Sequence, residues 1–156
     1  MPEYISAELS GTTGASGSVL TVAPVGYRPA ATVYQASVKR MRATFTLSAT
    51  AVTTSDTLLV GFLPAGSTFA FGVITASATM GASATLAIGT TGTTGKYRAA
   101  AVFTAVDTPT MFGPATQVGA AAPALSAEEK VFITIGAASL PTAGTLVVDL
   151  YFSQPN

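Results

Sequence analysis

Apolar and polar residues alternate one for one along the stretch that follows Lys39. Met41, Ala43, Phe45, Leu47 and Ala49 take one side of the alternation. Arg40, Arg42, Thr44, Thr46 and Ser48 take the other. A strand sends successive side chains to opposite faces, so this pattern predicts a half-buried β-strand. The same period returns in short runs down the chain. Thr57 to Leu63 is apolar on both sides, which fits a central strand. Thr68 to Thr75 sets Phe69, Phe71 and Val73 against Ala70, Gly72 and Ile74. Ala84 to Ile88, Tyr97 to Val106, Val131 to Ile135 and Leu146 to Phe152 complete the set, the last with Leu146, Val148, Leu150 and Phe152 on one face. No long segment carries the 3.6-residue period of a helix.

Turn residues separate these runs. Pro64-Ala65-Gly66-Ser67, Gly89 to Gly95, Asp107-Thr108-Pro109, Gly113-Pro114 and the Ala/Pro-rich stretch Gly119 to Leu125 all read as turns or loops. Ser126-Ala127-Glu128-Glu129 has the form of a capping box, with Ser126 as N-cap and Glu129 reaching back, and predicts one helical turn. About seven or eight short strands with Gly/Pro turns predict an all-β, antiparallel sandwich of jelly-roll-like form.

The chain of 156 residues is long enough for one domain. Residues 31–156 are expected to form it, and residues 1–30 an extended N-terminal arm. Gly11 to Ser18 is rich in Gly, Ser and Thr without apolar periodicity. Val19, Leu20, Val22 and Val25 could add a short strand, which Pro24 and Pro29 limit. A polar arm with a few apolar side chains suits docking on a neighbour; a terminus without fixed structure is the alternative.

Composition excludes several chemistries. There is no His and no Cys, hence no zinc finger, thiol nucleophile, disulfide framework or Ser–His–Asp triad. Only 9% of residues are charged, seven basic against seven acidic. A surface so poor in charge lacks the self-repulsion that keeps proteins apart, which points to faces covered by other chains. A neutral balance argues against nucleic acid as main partner. No basic-then-apolar leader opens the sequence, and no run approaches the roughly 18 apolar residues of a membrane span. Ala and Thr make up roughly a third of the chain, above ordinary usage. The core must therefore rest on larger residues: Phe45, Phe62, Phe69, Phe71, Phe103, Phe112, Phe132, Phe152 and the Leu, Ile and Val set.

Candidate reactive groups dissolve on inspection. The run Gly89 to Gly95 followed by Lys96 lacks phosphate-loop spacing: Thr90 stands where the first Gly belongs, and Tyr97 where a hydroxyl should meet magnesium. Glu128 and Glu129 suit a helix N-terminus, Asp56 and Asp107 suit turns, and Asp149 alternates with Val148 and Leu150, so it is expected to face solvent or an interface. No acid cluster offers the six to eight or so oxygens that calcium takes. Lys39, Lys96 and Lys130 lack a motif for a Ser–Lys dyad. No cofactor, metal or enzymatic activity is expected. Lys39-Arg40-Met41-Arg42 is the single basic cluster. It is read first as a solvated strand end, next as a contact with an acidic partner surface, and last as a weak nucleic-acid contact.

Four stretches carry a family resemblance: Asp56 to Ser67, a strand ending in Leu-Pro-x-Gly; Ala84 to Thr90; Lys96 to Ala101; and Ala143 to Phe152. In this order they resemble small structural proteins of tailed bacteriophages, of the capsid decoration or cement type. The resemblance spans roughly residues 36–153 and contains no catalytic signature. It implies a β-sandwich on the outside of an icosahedral head, assembled in the host cytoplasm, bound to the major capsid protein and commonly trimeric. Candidate partner contacts are Lys39, Arg40 and Arg42 in the domain, with Tyr4, Val19, Leu20 and Val22 in the arm. A tail or head-fibre module that binds host receptors or glycans is the alternative.

Overall fold

The structure is a computed structural model that describes residues 37–48, 52–113 and 123–154. The expected arm, with Tyr4, Val19, Leu20 and Val22, lies outside the described residues, as does most of the loop expected from Gly119. Among the described residues there are eight strands: β1 (Ser37–Leu47), β2 (Thr57–Leu63), β3 (Thr68–Ala76), β4 (Thr85–Gly89), β5 (Arg98–Val102), β6 (Thr110–Phe112), β7 (Glu129–Gly136) and β8 (Gly144–Gln154). They form two four-stranded sheets, ordered β1-β8-β3-β6 and β2-β7-β4-β5, with every strand pair antiparallel.

The order has a simple origin. β4 pairs with β5, β3 with β6, β2 with β7 and β1 with β8. The chain is thus folded in half at β4 and β5, and each later strand returns beside an earlier one. Winding that ribbon on itself sets β8 beside β3 and β7 beside β4. The result is the jelly roll, which packs two sheets around one core.

Alternation decides what enters the core. Met41, Ala43, Phe45 and Leu47 of β1 turn inward, as do Leu146, Val148, Leu150 and Phe152 of β8. Val131, Ile133 and Ile135 of β7 and Leu86 and Ile88 of β4 meet them from the second sheet. Bulges on β3 and β2 break the alternation. The register of β3 shifts between Phe69 and Phe71, so Phe69 is buried while Phe71 faces outward. A second shift, between Leu59 and Gly61, buries Val60 and leaves Phe62 outside. An extra residue on one strand inverts the faces that follow it, so Phe62 and Phe71 are not the core residues that simple alternation predicts. Phe132 is on the outer face as well.

Three further expectations change. The strand expected over Tyr97 to Val106 ends at Val102, because Phe103 turns into the core and its carbonyl accepts a hydrogen bond from the Met80 N–H at 3.0 Å. A short strand, β6, lies between the two turns read around residue 110. The capping box does not form a helix: residues 126–127 bend and β7 starts at Glu129, whose backbone pairs with Leu63. Its side chain is held by Lys96 and Tyr97 and does not reach back to Ser126.

Two crossing loops at the end opposite Ser37 and Gln154 are near copies. Loop 77–84 joins β3 to β4, and loop 137–143 joins β7 to β8. Ala78, Thr79, Met80, Thr85 and Leu86 match Ala138, Ser139, Leu140, Thr145 and Leu146 at constant spacing. Met80 and Leu140 each plug that end of the core. Their N–H groups donate to Phe103 and Val52 at 3.0 and 2.9 Å. Ser55 and Asp107, both left-handed at φ 74° and 50°, donate from their N–H groups to Ile135 and Ala76, each at 2.8 Å. The two halves of the roll close by one device used twice.

Glycine is required at two turns. Gly66 holds φ 79° in the turn Pro64–Ser67, where the Ser67 N–H donates to the Pro64 carbonyl at 3.2 Å. The loop after β4 folds back over Gly89: a Cβ there would stand 2.2 Å from the Thr93 carbonyl oxygen and 2.5 Å from that of Thr94. The Gly-rich run is therefore a tight backbone crossing. Gly89→Ala is expected to cost about 1–3 kcal/mol in denaturant unfolding, since backbone cannot step aside. Gly92→Ala, with nothing within 4 Å of its Cβ, should stay within about 0.5 kcal/mol of the parent.

Candidate interaction surface

Register arranges the outer face of the first sheet in rows. Arg40, Tyr151 and Phe71 form one row; Arg42, Asp149, Val73 and Met111 the next; Thr44, Val147 and Thr75 the third. Phe71 and Tyr151 stack with ring centroids 4.5 Å apart and planes 17° apart. Two stacked rings cover each other's faces. Val38 and Met111 are 66% and 69% exposed at opposite margins, while Phe71, Val73, Val147 and Tyr151 are half-buried. This is an apolar surface with a charged cluster set into it.

Asp149 lies on the outer side, as alternation predicts, but it is not open to solvent: only 6% of it is exposed. Arg42 covers it, donating from Nε to Oδ1 at 2.8 Å and from Nη2 to Oδ2 at 2.7 Å. The planar guanidinium matches both carboxylate oxygens at once. These hydrogen bonds hold the Asp149 carboxyl below its usual range, against the opposing effect of burial, with help from the Arg42 and Arg40 charges. Arg40 stands farther off, its Nε 3.9 Å from Oδ1. The basic cluster thus divides. Arg42 is committed to Asp149, Lys39 donates to Gln154 Oε1 at 3.2 Å, and Arg40 keeps a half-exposed guanidinium.

The outer face of the second sheet also carries apolar side chains. Leu59 is opposite Phe132, and Phe62 is opposite Lys130, whose ammonium sits 5.5 Å from the Phe62 ring centre. Leu59 and Phe62 are exposed. At the end of this sheet nearer Ser37, Glu129 accepts from Lys96 Nζ and, at 2.6 Å, from the Tyr97 hydroxyl. Burial alone would raise the Glu129 pKa, but hydrogen bonds from Lys96 and Tyr97 bring it below the ordinary value. Burial and the adjacent Glu129 push the Tyr97 phenol upward. Asp56 is a turn acid, as expected; its carboxylate accepts from the Thr53 N–H and hydroxyl at 2.7 and 2.9 Å.

No arrangement for bond-making chemistry assembles from these groups. Lys39, Lys96 and Lys130 are tied to Gln154, Glu129 and Phe62. Among the described residues no three acids gather as a metal site. The surface offers contact area, with Arg40 as a half-exposed charge at a long 3.9 Å from Asp149. Sequence reasoning found Arg40 but missed Phe71, Tyr151 and Met111 as surface residues. Tyr151 was legible, since it sits on the Asp149 side of the last alternation.

No family model matches the sequence, and no curated protein is significantly similar to it. Solved structures are similar in fold. A chain from the capsid of Ralstonia phage GP4 is 16% identical with a TM-score of 0.60, over 77% of this chain and 86% of that one. A chain from the capsid asymmetric unit of cyanophage Pam1 is 19% identical with a TM-score of 0.59, over 86% and 98%. A chain from the acid-stable capsid structure of Helicobacter pylori bacteriophage KHP30 is 12% identical with a TM-score of 0.55, over 76% and 89%.

The Asp149 cluster predicts a pH signature. A carboxylate with a lowered folded pKa adds stability above the unfolded value, about 3.9 for Asp, and loses it as pH falls through the folded value. Asp149→Asn should lower the melting temperature by about 2–4 °C at neutral pH. The gap to the parent should close as acid protonates Asp149, which thermal melts across pH would reveal.

Proposed function

We propose that this chain is a structural protein of a phage head. In this reading it decorates the outer capsid surface, binds the major capsid protein and stabilises the shell. The observation that carries the reading is the shared fold: three chains from phage capsids superpose over 76–86% of this one. The surface supports it. A cement protein needs area and shape in place of reactive groups, and many identical weak contacts add through avidity. Both sheets expose apolar side chains on their outer faces, Val38 and Met111 on one, Leu59 and Phe62 on the other. A closed trimer and the shell beneath it would cover such surfaces. Arg40, half-exposed and only loosely paired to Asp149, is the contact we retain from the basic cluster. Tyr4, Val19, Leu20 and Val22 remain proposed contacts of the arm.

A receptor or glycan module would favour an open aromatic platform, whereas Phe71 and Tyr151 face each other. Purified protein mixed with undecorated heads should bind to saturation at fixed stoichiometry and raise the temperature at which the shells lose their DNA. Native mass measurement should give a trimer. Heads that ignore the protein while host cells or glycans capture it would overturn the decoration reading, and a clean monomer would overturn the trimer.

A further inference from the structure

Of the two outer sheet faces, the first carries the apolar surface with a half-exposed arginine, Arg40, whose ion pair with Asp149 is long at 3.9 Å. Val38, Tyr151 and Phe71 lie nearest Arg40 there, and Val73 and Met111 continue the face toward the far margin. On the second face, the ammonium of Lys130 is held over Phe62, and the exposed Glu128 adjoins it in sequence. An occupant of the first face should therefore carry carboxylate and apolar side chains together. One such segment belongs to the chain itself. Residues 3–9 read Glu-Tyr-Ile-Ser-Ala-Glu-Leu, with two acids, no base and three large apolar residues. Glu3 and Glu8 are the only acids before Ser37, against the single base Arg28.

Chain geometry favours the encounter. Residues 1–36 enter β1 at Ser37, and at about 3.3 Å per strand residue the Arg40 row begins about 10 Å away. The chain between Leu9 and Ser37 would span about 30 Å even as a random coil. Four strands are only about 15–20 Å wide. A tether of this kind gives an effective concentration in the millimolar range, enough for a modest contact to fill.

We propose that Glu3–Leu9 docks on the outer face of the β1-β8-β3-β6 sheet of its own chain. One of its glutamates meets Arg40, and Tyr4, Ile5 and Leu9 cover Phe71, Val73 and Met111. In the free protein this contact occupies Arg40 and Tyr4, from which a capsid would have to displace it, and it is testable on the isolated protein. A photoreactive phenylalanine analogue in place of Tyr4, followed by peptide mapping, should cross-link to peptides containing Phe71, Val73, Met111 or Tyr151.

Arg40→Gln should reduce that yield about two- to fivefold, the measure of one exposed ion pair. Glu3→Lys with Glu8→Lys should reduce it likewise, and adding Arg40→Glu should restore it. Circular dichroism of each variant keeps loss of fold apart from loss of contact. Four results would overturn the proposal. They are cross-links on Leu59, Phe62 or Phe132, scattered cross-links, cross-links between mixed labelled and unlabelled copies, and a yield insensitive to charge.

Discussion

Burial of β8 on both sides is the constraint on which the rest of the molecule depends. Its inner face supplies Leu146, Val148, Leu150 and Phe152 to the core, and its outer face places Asp149 beneath Arg42. Its backbone is bonded on one edge to β1 and on the other to β3. A strand so placed cannot slip by one residue, since a slip would exchange Leu150 for Asp149 in the core. The bidentate ion pair fixes the same register from outside. Through β8 the positions of β1, β3 and β6 follow, and with them the rows of the outer face.

The second sheet is tied in at its ends as well as along its strands. Met80 and Leu140 close one end, each carried by a loop of the same design. At the other, Glu129 joins β7 to Lys96 and Tyr97, and the Tyr97 ring lies 4.4 Å from Phe69 of the first sheet. Polar groups thus sit where the sandwich opens toward water, and the middle is left to hydrocarbon. This division keeps buried charge cheap, because each carboxylate retains donors and a partner.

Much of this was legible in the sequence because strand alternation is a local property. Met41 to Leu47 and Leu146 to Phe152 displayed their inward faces without any knowledge of their partners. Pro64-Ala65-Gly66-Ser67 and Asp107 announced their turns for the same reason. What could not be read depends on distant contacts. The bulge that turns Phe71 outward is set by pairing with β8, and the end of β5 is set by where Phe103 finds room. The apparent capping box failed because Glu129 had better partners in Lys96 and Tyr97 than in Ser126. At the surface, the residue types of the basic cluster were visible but their division was not. Only the β1–β8 register shows that Arg42 sits opposite Asp149 while Arg40, one row away, pairs with it at longer range.

The pairing of β1 with β8 also has a consequence in time. Lys39 meets Gln154 from 115 residues away, so the first strand is made long before its partner exists. At about 5–20 residues per second of synthesis, β1 would wait about 5–20 seconds for its neighbour. Such a strand is a template for wrong pairing between nascent chains. Lys39, Arg40 and Arg42 make it a poor one, since two copies laid edge to edge would bring like charges together. The same basic residues that later flank a contact surface can therefore act first as guards, keeping an unfinished chain from its siblings on crowded ribosomes.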